Sequence, residues 1–192
     1  MSLSYLSADR LLADSIELAL KVVESGYKPD LLVALWRGGT PVGIAMQEVF
    51  EYLEIHCEHF AIRSRSYLEP GQQMSSVQLW GMELLQPCLH PDSRVLLVDD
   101  VFDSGRTMQA VIGHLRAMAY PHQPTIKLAT PWFKPGNNKT SMVPDFYLHQ
   151  TEEWLVFPHE MHGLNTEQIL AKPGLAGPLQ KLLQLQKRRE KP

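Results

Sequence analysis

The sequence VLLVDDVFDSGRT, from Val95 to Thr107, decides the fold of this chain. Its first four residues form an apolar run, typical of a strand that is buried on both faces of a parallel sheet. Two carboxylates follow at once, a third stands at Asp103, and Ser104 opens an apolar pattern with helical spacing. Ligands of open α/β sheets bind beyond the carboxyl ends of the strands. The stretch therefore predicts a strand, a ligand-binding loop and a helix.

The side chains of this loop suit two parts of one ligand. Asp99 and Asp100 accept hydrogen bonds only, so they suit two neighbouring hydroxyls or the water shell of a metal ion. A helix starting near Ser104 offers free N–H groups and a positive dipole end to an anion. Gly105 allows close approach of the backbone, and Thr107 adds a hydroxyl. This pattern predicts a binding site for a sugar phosphate. The alternative is an ordinary strand end with solvated acids.

The rest of the chain alternates helical and strand patterns, which predicts an α/β fold with a mostly parallel, twisted sheet flanked by helices. The predicted elements are a helix over Ala8–Glu24 capped by Ser7, a strand over Leu31–Leu35, a helix capped by Thr40 with Pro41 in its first position that runs to about Glu54, and strands over Ile55–Ile62 and Thr125–Thr130. The polar segment from Arg63 to Gln78 is too long for a simple connector and is predicted to be a mobile lid.

Composition is that of an ordinary globular protein. The chain has 192 residues, 44% hydrophobic residues and a formal net charge of -3. No basic excess points to nucleic acid, and no apolar run is long enough to cross a membrane. Cys57 and Cys88 have no paired spacing, and the N-terminus has no secretory pattern, so we expect a cytoplasmic protein with free thiols.

A second anion site is predicted at Trp36–Thr40, where two glycines lie between a buried strand and a helix. Backbone N–H groups can turn inward at Gly38 and Gly39, and Arg37 adds a fork of donors for phosphate. Taken alone, this pattern is equally compatible with a plain strand-to-helix turn.

Together these motifs resemble the type I phosphoribosyltransferases. The stretch Val95–Thr107 is similar to their ribose-phosphate signature at every position, with Phe102 bulkier than the usual aliphatic residue. The second motif resembles their pyrophosphate loop, which implies a cis peptide bond between Trp36 and Arg37. The resemblance assigns Arg106, with its neighbours from Asp103 to Thr107, to the 5-phosphate.

Three further segments resemble the 6-oxopurine branch of that family. Ser66 and Tyr67 are similar to the dipeptide of its catalytic lid, and Lys134 to the lysine that donates to the exocyclic oxygen of the purine; a lone loop lysine is otherwise usually solvated. Trp154 resembles the aromatic residue that stacks on the base, and Leu155 the residue whose carbonyl reads the purine edge.

The same segment departs from the branch at its end. Glu160 stands where an aspartate usually helps to place a metal, and His159 stands where the bacterial xanthine-guanine enzymes have tryptophan. The resemblance thus implies a metal set of Asp99, Asp100 and Glu160, with the contact of Glu160 less secure.

The resemblance implies a purine salvage enzyme. It would transfer the phosphoribosyl group from phosphoribosyl pyrophosphate, bound with Mg²⁺, to hypoxanthine, guanine or xanthine, with Asp103 as general acid/base. It implies a homo-oligomer, dimer or tetramer, and a small hood built from the N- and C-terminal segments. We predict a domain over residues 1–164 and a helical extension with a basic tail over 165–192. The alternatives are a donor-sensing regulator of the same fold that binds nucleic acid, and an enzyme acting on a pyrimidine or other acceptor.

Overall fold

A computed structural model describes residues 3–67 and 76–189. Helices are α1 (Ala8–Glu24), α2 (Gly39–Tyr52), α3 (Arg106–Ala119), α4 (Thr166–Leu170) and α5 (Ala176–Arg189), with 3₁₀ turns at Met82–Cys88 and Pro135–Asn137. Strands are β1 (Leu3–Tyr5), β2 (Leu31–Trp36), β3 (Glu58–Tyr67), β4 (Ser76–Trp80), β5 (Arg94–Val98), β6 (Val101–Phe102), β7 (Thr125–Phe133), β8 (Phe146–Gln150) and β9 (Trp154–Val156).

The larger of two compact units, Asp14–Glu152, is built on a seven-stranded sheet. Strands β3, β2, β5 and β7 pair in that order, all parallel, and β8 and β6 also pair with β7 in parallel. Among the strands of this sheet that the structure describes, β4 alone runs antiparallel, against β3. The central strands β2 and β5 are buried along almost their whole length because helices cover parallel sheets on both faces. The predicted α/β fold with a mostly parallel sheet is confirmed.

The smaller unit joins both ends of the chain, residues up to Ala13 and from Glu153 onward. Its two-stranded parallel sheet pairs β1 with β9, so that Leu3 lies opposite Trp154. Ile169, Leu179 and Leu183 bury the contact between α4 and α5. We call this unit the hood, and its construction from both terminal segments is as predicted. The placing of a domain boundary at residue 164 stays a prediction; the extension lies within the hood unit.

Helix starts agree with the sequence in one case and differ in another. The Ser7 side chain accepts a hydrogen bond from the Arg10 N–H at 3.1 Å, which caps α1 as predicted. The prediction that Thr40 caps α2 is wrong, because α2 already begins at Gly39. The Thr40 hydroxyl donates instead to the Arg37 carbonyl at 2.7 Å.

The polar segment from Arg63 to Gln78 is not simply a loop, which corrects our prediction. Strand β3 continues through Ser66 to Tyr67 and pairs antiparallel with β4, so that Ser66 lies opposite Val77. Alternating polar residues are compatible with an edge hairpin, whose outer positions face solvent. Residues 68–75, the middle of the predicted lid, lie outside the described residues. Within the described part of the chain, no helix is both long and apolar enough to span a membrane.

Candidate active site

Asp99 and Asp100 stand at an interruption of the sheet. Strands β5 and β6 pair with the same strand, β7, in one continuous register, in which Val98 lies opposite Ala129 and Val101 opposite Trp132. Between them the ladder breaks. Pro131, which would continue the pairing there, has no N–H to donate. The two carboxylates therefore occupy a gap in an otherwise continuous strand pair.

The Asp99 carboxyl is held in a setting that disfavours its charge. Burial, and next the adjacent carboxylate of Asp100, raise the pKa of Asp99 well above its ordinary value. Hydrogen bonds from the backbone of Asp100, at 3.0 Å, and of Gly39 oppose that shift. Asp100 is itself only 7% exposed. Such a pair gains most from a cationic or hydroxyl-bearing ligand that compensates the buried charge.

The predicted pyrophosphate loop packs directly on this acid pair. A Cβ atom on Gly38 would come within 2.2 Å of the Asp100 carboxylate, and one on Gly39 within 2.3 Å of the Val98 carbonyl oxygen. Only glycine fits at either position, so both glycines are explained by close packing on the β5 strand end. The peptide bond between Trp36 and Arg37 is cis, as the resemblance implied. Arg37 is exposed.

The predicted phosphate loop ends at a left-handed glycine. Gly105 has a φ of 77° and precedes α3, whose first residue is Arg106. A Cβ on Gly105 would approach Thr140 Oγ1 at 2.6 Å and the ring of Phe102 at 2.7 Å. Phe102 is 1% exposed and packs edge-on against Phe133. The bulky residue in this motif is therefore a core residue that closes the space under the loop.

The loop after β7 lies beside the loop that carries Asp103. Phe102 and Phe133 are paired, and Asp103 and Lys134 follow them directly. The Lys134 N–H donates to the Phe102 carbonyl at 2.9 Å, and the Asn137 side chain donates to Asp103 Oδ1 at 2.7 Å. Lys134 is 8% exposed, so it is not the solvated loop lysine that we weighed as the alternative.

Asn137 is held in place by a second anchor. The Gly136 N–H donates to the Glu152 carboxylate at 2.9 Å, and a Cβ on Gly136 would collide with that carboxylate. The Lys139 N–H also donates to the Ser104 carbonyl. Sequence reasoning missed Asn137 and Glu152, because an Asn in a Pro-Gly-Asn turn is usually explained by the turn itself.

The hood carries the remaining predicted residues. Trp154 is 50% exposed and Leu155, the next residue of β9, is 5% exposed. Their side chains point to opposite faces of the strand, as neighbouring strand residues do. The Glu160 carboxylate accepts from the Phe157 N–H at 3.2 Å. A cavity of about 350 Å³ is lined by Leu3, Trp154, Glu160, His162, Gly163, Leu164 and Gln168.

Comparison with known proteins decides the family. The model of the phosphoribosyl transferase domain matches residues 2–162. The chain belongs to this family. A purine phosphoribosyltransferase from Pyrococcus horikoshii is similar to it, with 30% identity, a TM-score of 0.65, and coverage of 86% of this chain and 99% of that one. No curated protein matches the sequence.

Two more distant structures share the fold. The xanthine-guanine-hypoxanthine phosphoribosyltransferase of Helicobacter pylori has 21% identity and a TM-score of 0.59, and covers 81% of this chain and 90% of its own. A hypothetical protein from Neisseria gonorrhoeae with bound ppGpp has 20% identity and a TM-score of 0.67, and covers 96% of this chain and 97% of its own. The latter match must include most of residues 165–192. The predicted resemblance to the 6-oxopurine branch of type I phosphoribosyltransferases is confirmed.

The structure groups the predicted residues into two sets. The larger unit of this phosphoribosyltransferase brings together the acid pair, the Arg37–Gly39 loop, the Asp103–Thr107 loop and Lys134. The hood brings together Trp154, Leu155 and Glu160. Among the described residues, no group of three or more His, Cys, Asp and Glu side chains is arranged as a metal site. A Mg²⁺ ion needs only one or two protein carboxylates when phosphates supply its other ligands.

Proposed function

We propose that this protein is a purine salvage phosphoribosyltransferase, which transfers the 5-phosphoribosyl group from phosphoribosyl pyrophosphate to a 6-oxopurine base. The contact between the loops of Asp103 and Lys134 carries this proposal. The Lys134 N–H donates to the Phe102 carbonyl, next to Asp103. This hydrogen bond brings the loop of Asp103, the proposed proton-transfer acid, beside the loop of Lys134, the proposed donor to the purine oxygen. The purine phosphoribosyltransferase from Pyrococcus horikoshii, at 30% identity, supports the same substrate class.

The donor would be held by three neighbouring parts of the larger unit. We assign the 5-phosphate to the loop from Asp103 to Thr107, at the N-terminus of α3, where the helix dipole favours an anion. The ribose hydroxyls would donate hydrogen bonds to Asp99 and Asp100, and the pyrophosphate would bind the Arg37–Gly39 loop beside them. Mg²⁺ fits the Asp99–Asp100 pair, because a nearby cation favours the charged form of Asp99. The ion would also neutralise the leaving pyrophosphate.

The reaction breaks the bond between C1 and the pyrophosphate oxygen and forms a bond from C1 to a ring nitrogen of the purine. Asp103 would accept or return the proton of the other imidazole nitrogen. Its orientation is set by the hydrogen bond from Asn137 at 2.7 Å. The ammonium of Lys134 would donate to the exocyclic oxygen of the base. The family resemblance assigns Trp154 to stacking on the base and the Leu155 carbonyl to its edge. Glu160 would help to hold the metal through water.

The remaining assignments also stay proposals. Ser66 and Tyr67 would belong to a lid that excludes water from the reacting donor. We propose a cytoplasmic homo-oligomer without a nucleic-acid or membrane partner; light scattering on the purified protein gives its order.

A panel of bases tests the function. The protein is incubated with phosphoribosyl pyrophosphate, Mg²⁺ and one base at a time (hypoxanthine, guanine, xanthine, adenine, uracil or orotate), and pyrophosphate release is followed. We expect release with at least one 6-oxopurine and none with the pyrimidines. Release with pyrimidines alone would reject the proposal and favour an enzyme that acts on another acceptor. No release with any of the bases would reject it and favour the regulator.

Two variants assign the roles within the active protein. Asp103→Asn should lower kcat about 10²–10⁴-fold, the usual contribution of general acid–base catalysis, and retain donor binding by calorimetry. Lys134→Ala should raise the KM for the base much more than the KM for the donor. Lys139→Ala, an exposed lysine of the same loop, is the matched control and should leave both KM values unchanged.

A further inference from the structure

A buried lysine connects the C-terminal extension to the strand that carries Trp154 and Leu155. Lys172, in the short link between α4 and α5, is 3% exposed, and its ammonium donates to the main-chain carbonyl of Phe157. Phe157 follows β9 directly. Burying an ammonium costs free energy unless it is compensated by acceptors. A lysine in this position therefore has a specific partner, whereas most lysines of a surface extension are solvated.

The partner is a closed turn that ends at Glu160. The Phe157 N–H donates to the Glu160 carboxylate at 3.2 Å, and the Glu160 N–H donates back to the Phe157 carbonyl at 3.2 Å. The Phe157 carbonyl thus receives both the Glu160 N–H and the Lys172 ammonium. Burial lowers the pKa of Lys172, and the nearby charge of Glu160 opposes that shift. Lys172 therefore interacts with both ends of the turn, by a hydrogen bond with Phe157 and by charge attraction with Glu160.

The extension is built to hold this lysine. Asn165 and Gln168 form a reciprocal capping box at the start of α4, with hydrogen bonds of 2.8 and 2.9 Å. Ile169 packs with the buried leucines of α5 one turn before Lys172. The link between the two helices is therefore fixed from both sides, so the backbone that carries Lys172 is ordered independently of its side-chain hydrogen bond.

The extension also reaches the cavity next to Trp154. Leu164 and Gln168 line the same 350 Å³ space as Trp154 and Glu160. The Oε1 atom of Gln168 accepts from the Asn165 N–H, and its amide nitrogen is able to donate to a ligand in this cavity.

We propose that Lys172 is a positioning residue for base recognition: through the Phe157 carbonyl it fixes the segment from Trp154 to Glu160, so that the extension is a working part of the base site. This inference rests on the proposed function. Lys172 itself is not expected to touch the base or the donor. Its removal should let the turn move and weaken the stacking and edge contacts that depend on the position of β9.

The test separates base binding from donor binding. Lys172→Met keeps the length and apolar stem of the side chain and removes its charge and its hydrogen bond. Steady-state kinetics should show a rise of about tenfold or more in the KM for the base, the size expected when a charge-assisted hydrogen bond that orders a site is lost, with the donor KM within twofold of wild type. Lys181→Met, an exposed lysine of α5, is the control and should change neither constant.

Hydrogen exchange gives a second readout that needs no activity. The amides of Phe157 and Glu160 should exchange faster in Lys172→Met than in wild type, while amides of the sheet in the larger unit stay unchanged. Should the methionine variant fail to fold, Lys172→Gln, which retains a neutral donor, is measured in the same way and should show a smaller rise in the base KM.

The outcomes distinguish the two proposals. Wild-type protein that turns over no 6-oxopurine overturns the proposed function, and the exchange measurement still decides whether Lys172 orders the turn. Active wild-type protein with an unchanged base KM in both Lys172 variants overturns the inference alone. An equal rise of both KM values also overturns it, because that result indicates a general loss of structure.

Discussion

Gly105→Ala should be among the most destabilising alanine substitutions of any glycine in the chain. Gly105 has a φ of 77°, a conformation that costs a residue with a Cβ roughly 1–2 kcal/mol. The new methyl group would also lie 2.7 Å from the Phe102 ring and 2.6 Å from Thr140 Oγ1. Overpacking of this kind costs about 1–3 kcal/mol. Alanine returns about 0.4–1 kcal/mol by restricting the unfolded chain.

The neighbours of Gly105 cannot easily move away. Phe102 is 1% exposed and is fixed edge-on against Phe133, with ring centroids 5.6 Å apart. The Thr140 hydroxyl bonds to Asn138 Oδ1 at 2.9 Å and accepts from the Met142 N–H at 3.2 Å. We therefore expect the free energy of unfolding to fall by about 2–4 kcal/mol, a large part of a typical total of about 5–15 kcal/mol.

Two other glycines separate the causes of this loss. Gly26 has a φ of 78° with nothing within 4 Å of its added Cβ, so Gly26→Ala measures the backbone strain alone. Gly113 lies inside α3 with open space around it, so Gly113→Ala should stabilise the protein by about 0.5–1 kcal/mol. Urea unfolding followed by circular dichroism ranks the three variants.

The packing argument has a clear point of failure. If Gly105→Ala costs no more than Gly26→Ala, the clash with Phe102 and Thr140 is not real, and the reasoning is refuted. The double variant with Phe102→Leu should recover part of the loss, because the shorter side chain frees the space. A double variant whose losses simply add would equally contradict the proposed contact.

Three further perturbations follow from the site. Asn137→Ala should lower kcat about tenfold and leave both KM values unchanged, since it frees Asp103 but touches no substrate; Lys139→Ala, at an exposed position of the same loop, is the control. Asp99→Asn should stabilise the unliganded protein at neutral pH. Because its folded pKa is raised, wild-type stability falls as pH rises from the unfolded value near 3.8 through the folded pKa, and the melting-temperature gap between the variants should widen over that range. Asp30→Asn should cost under about 1 kcal/mol, because the Asp30–Arg94 pair is exposed; the lowered pKa of Asp30 makes this contribution present above its unfolded value and lost as pH falls through the folded pKa. A melting-temperature gap between wild type and Asp99→Asn that is the same at pH 5 and pH 8 would contradict the Asp99 prediction. A loss of stability in Asp30→Asn that persists in 1 M salt would contradict the Asp30 prediction.

The sequence allowed the backbone of the site to be predicted because its signals are local. The apolar run before Asp99 and the glycines beside Arg37 each act through their own chain neighbours, so their strands and turns appear where expected. The start of α2 was misplaced because Gly38 and Gly39 form a helical turn under tight packing against Asp100, a tertiary contact that no cap signal encodes.

Contacts between distant segments could not be predicted in this way. The hydrogen bond from Asn137 to Asp103 joins residues 34 positions apart, and Lys172 reaches Phe157 from a segment with no recognised motif. Both depend on which side chains the fold brings within 3 Å, and neither residue type carries a distinctive spacing. The hairpin of β3 and β4 was missed because β3 contains the polar run Arg63-Ser64-Arg65-Ser66, which lacks the hydrophobic alternation that normally identifies a strand.

Because β5 and β6 both pair with β7, the spacing of residues along β7 determines the distances between the parts of the site in the larger unit. The first half of β7 sets the position of the two acids, and its last residues set how far Lys134 stands from Asp103. A single residue inserted or deleted between Thr130 and Phe133 would reverse the faces of everything that follows. The length of this segment is thus constrained more tightly than the identity of most of its residues, and we expect changes in base preference to arise by substitution around it and not by change of its length.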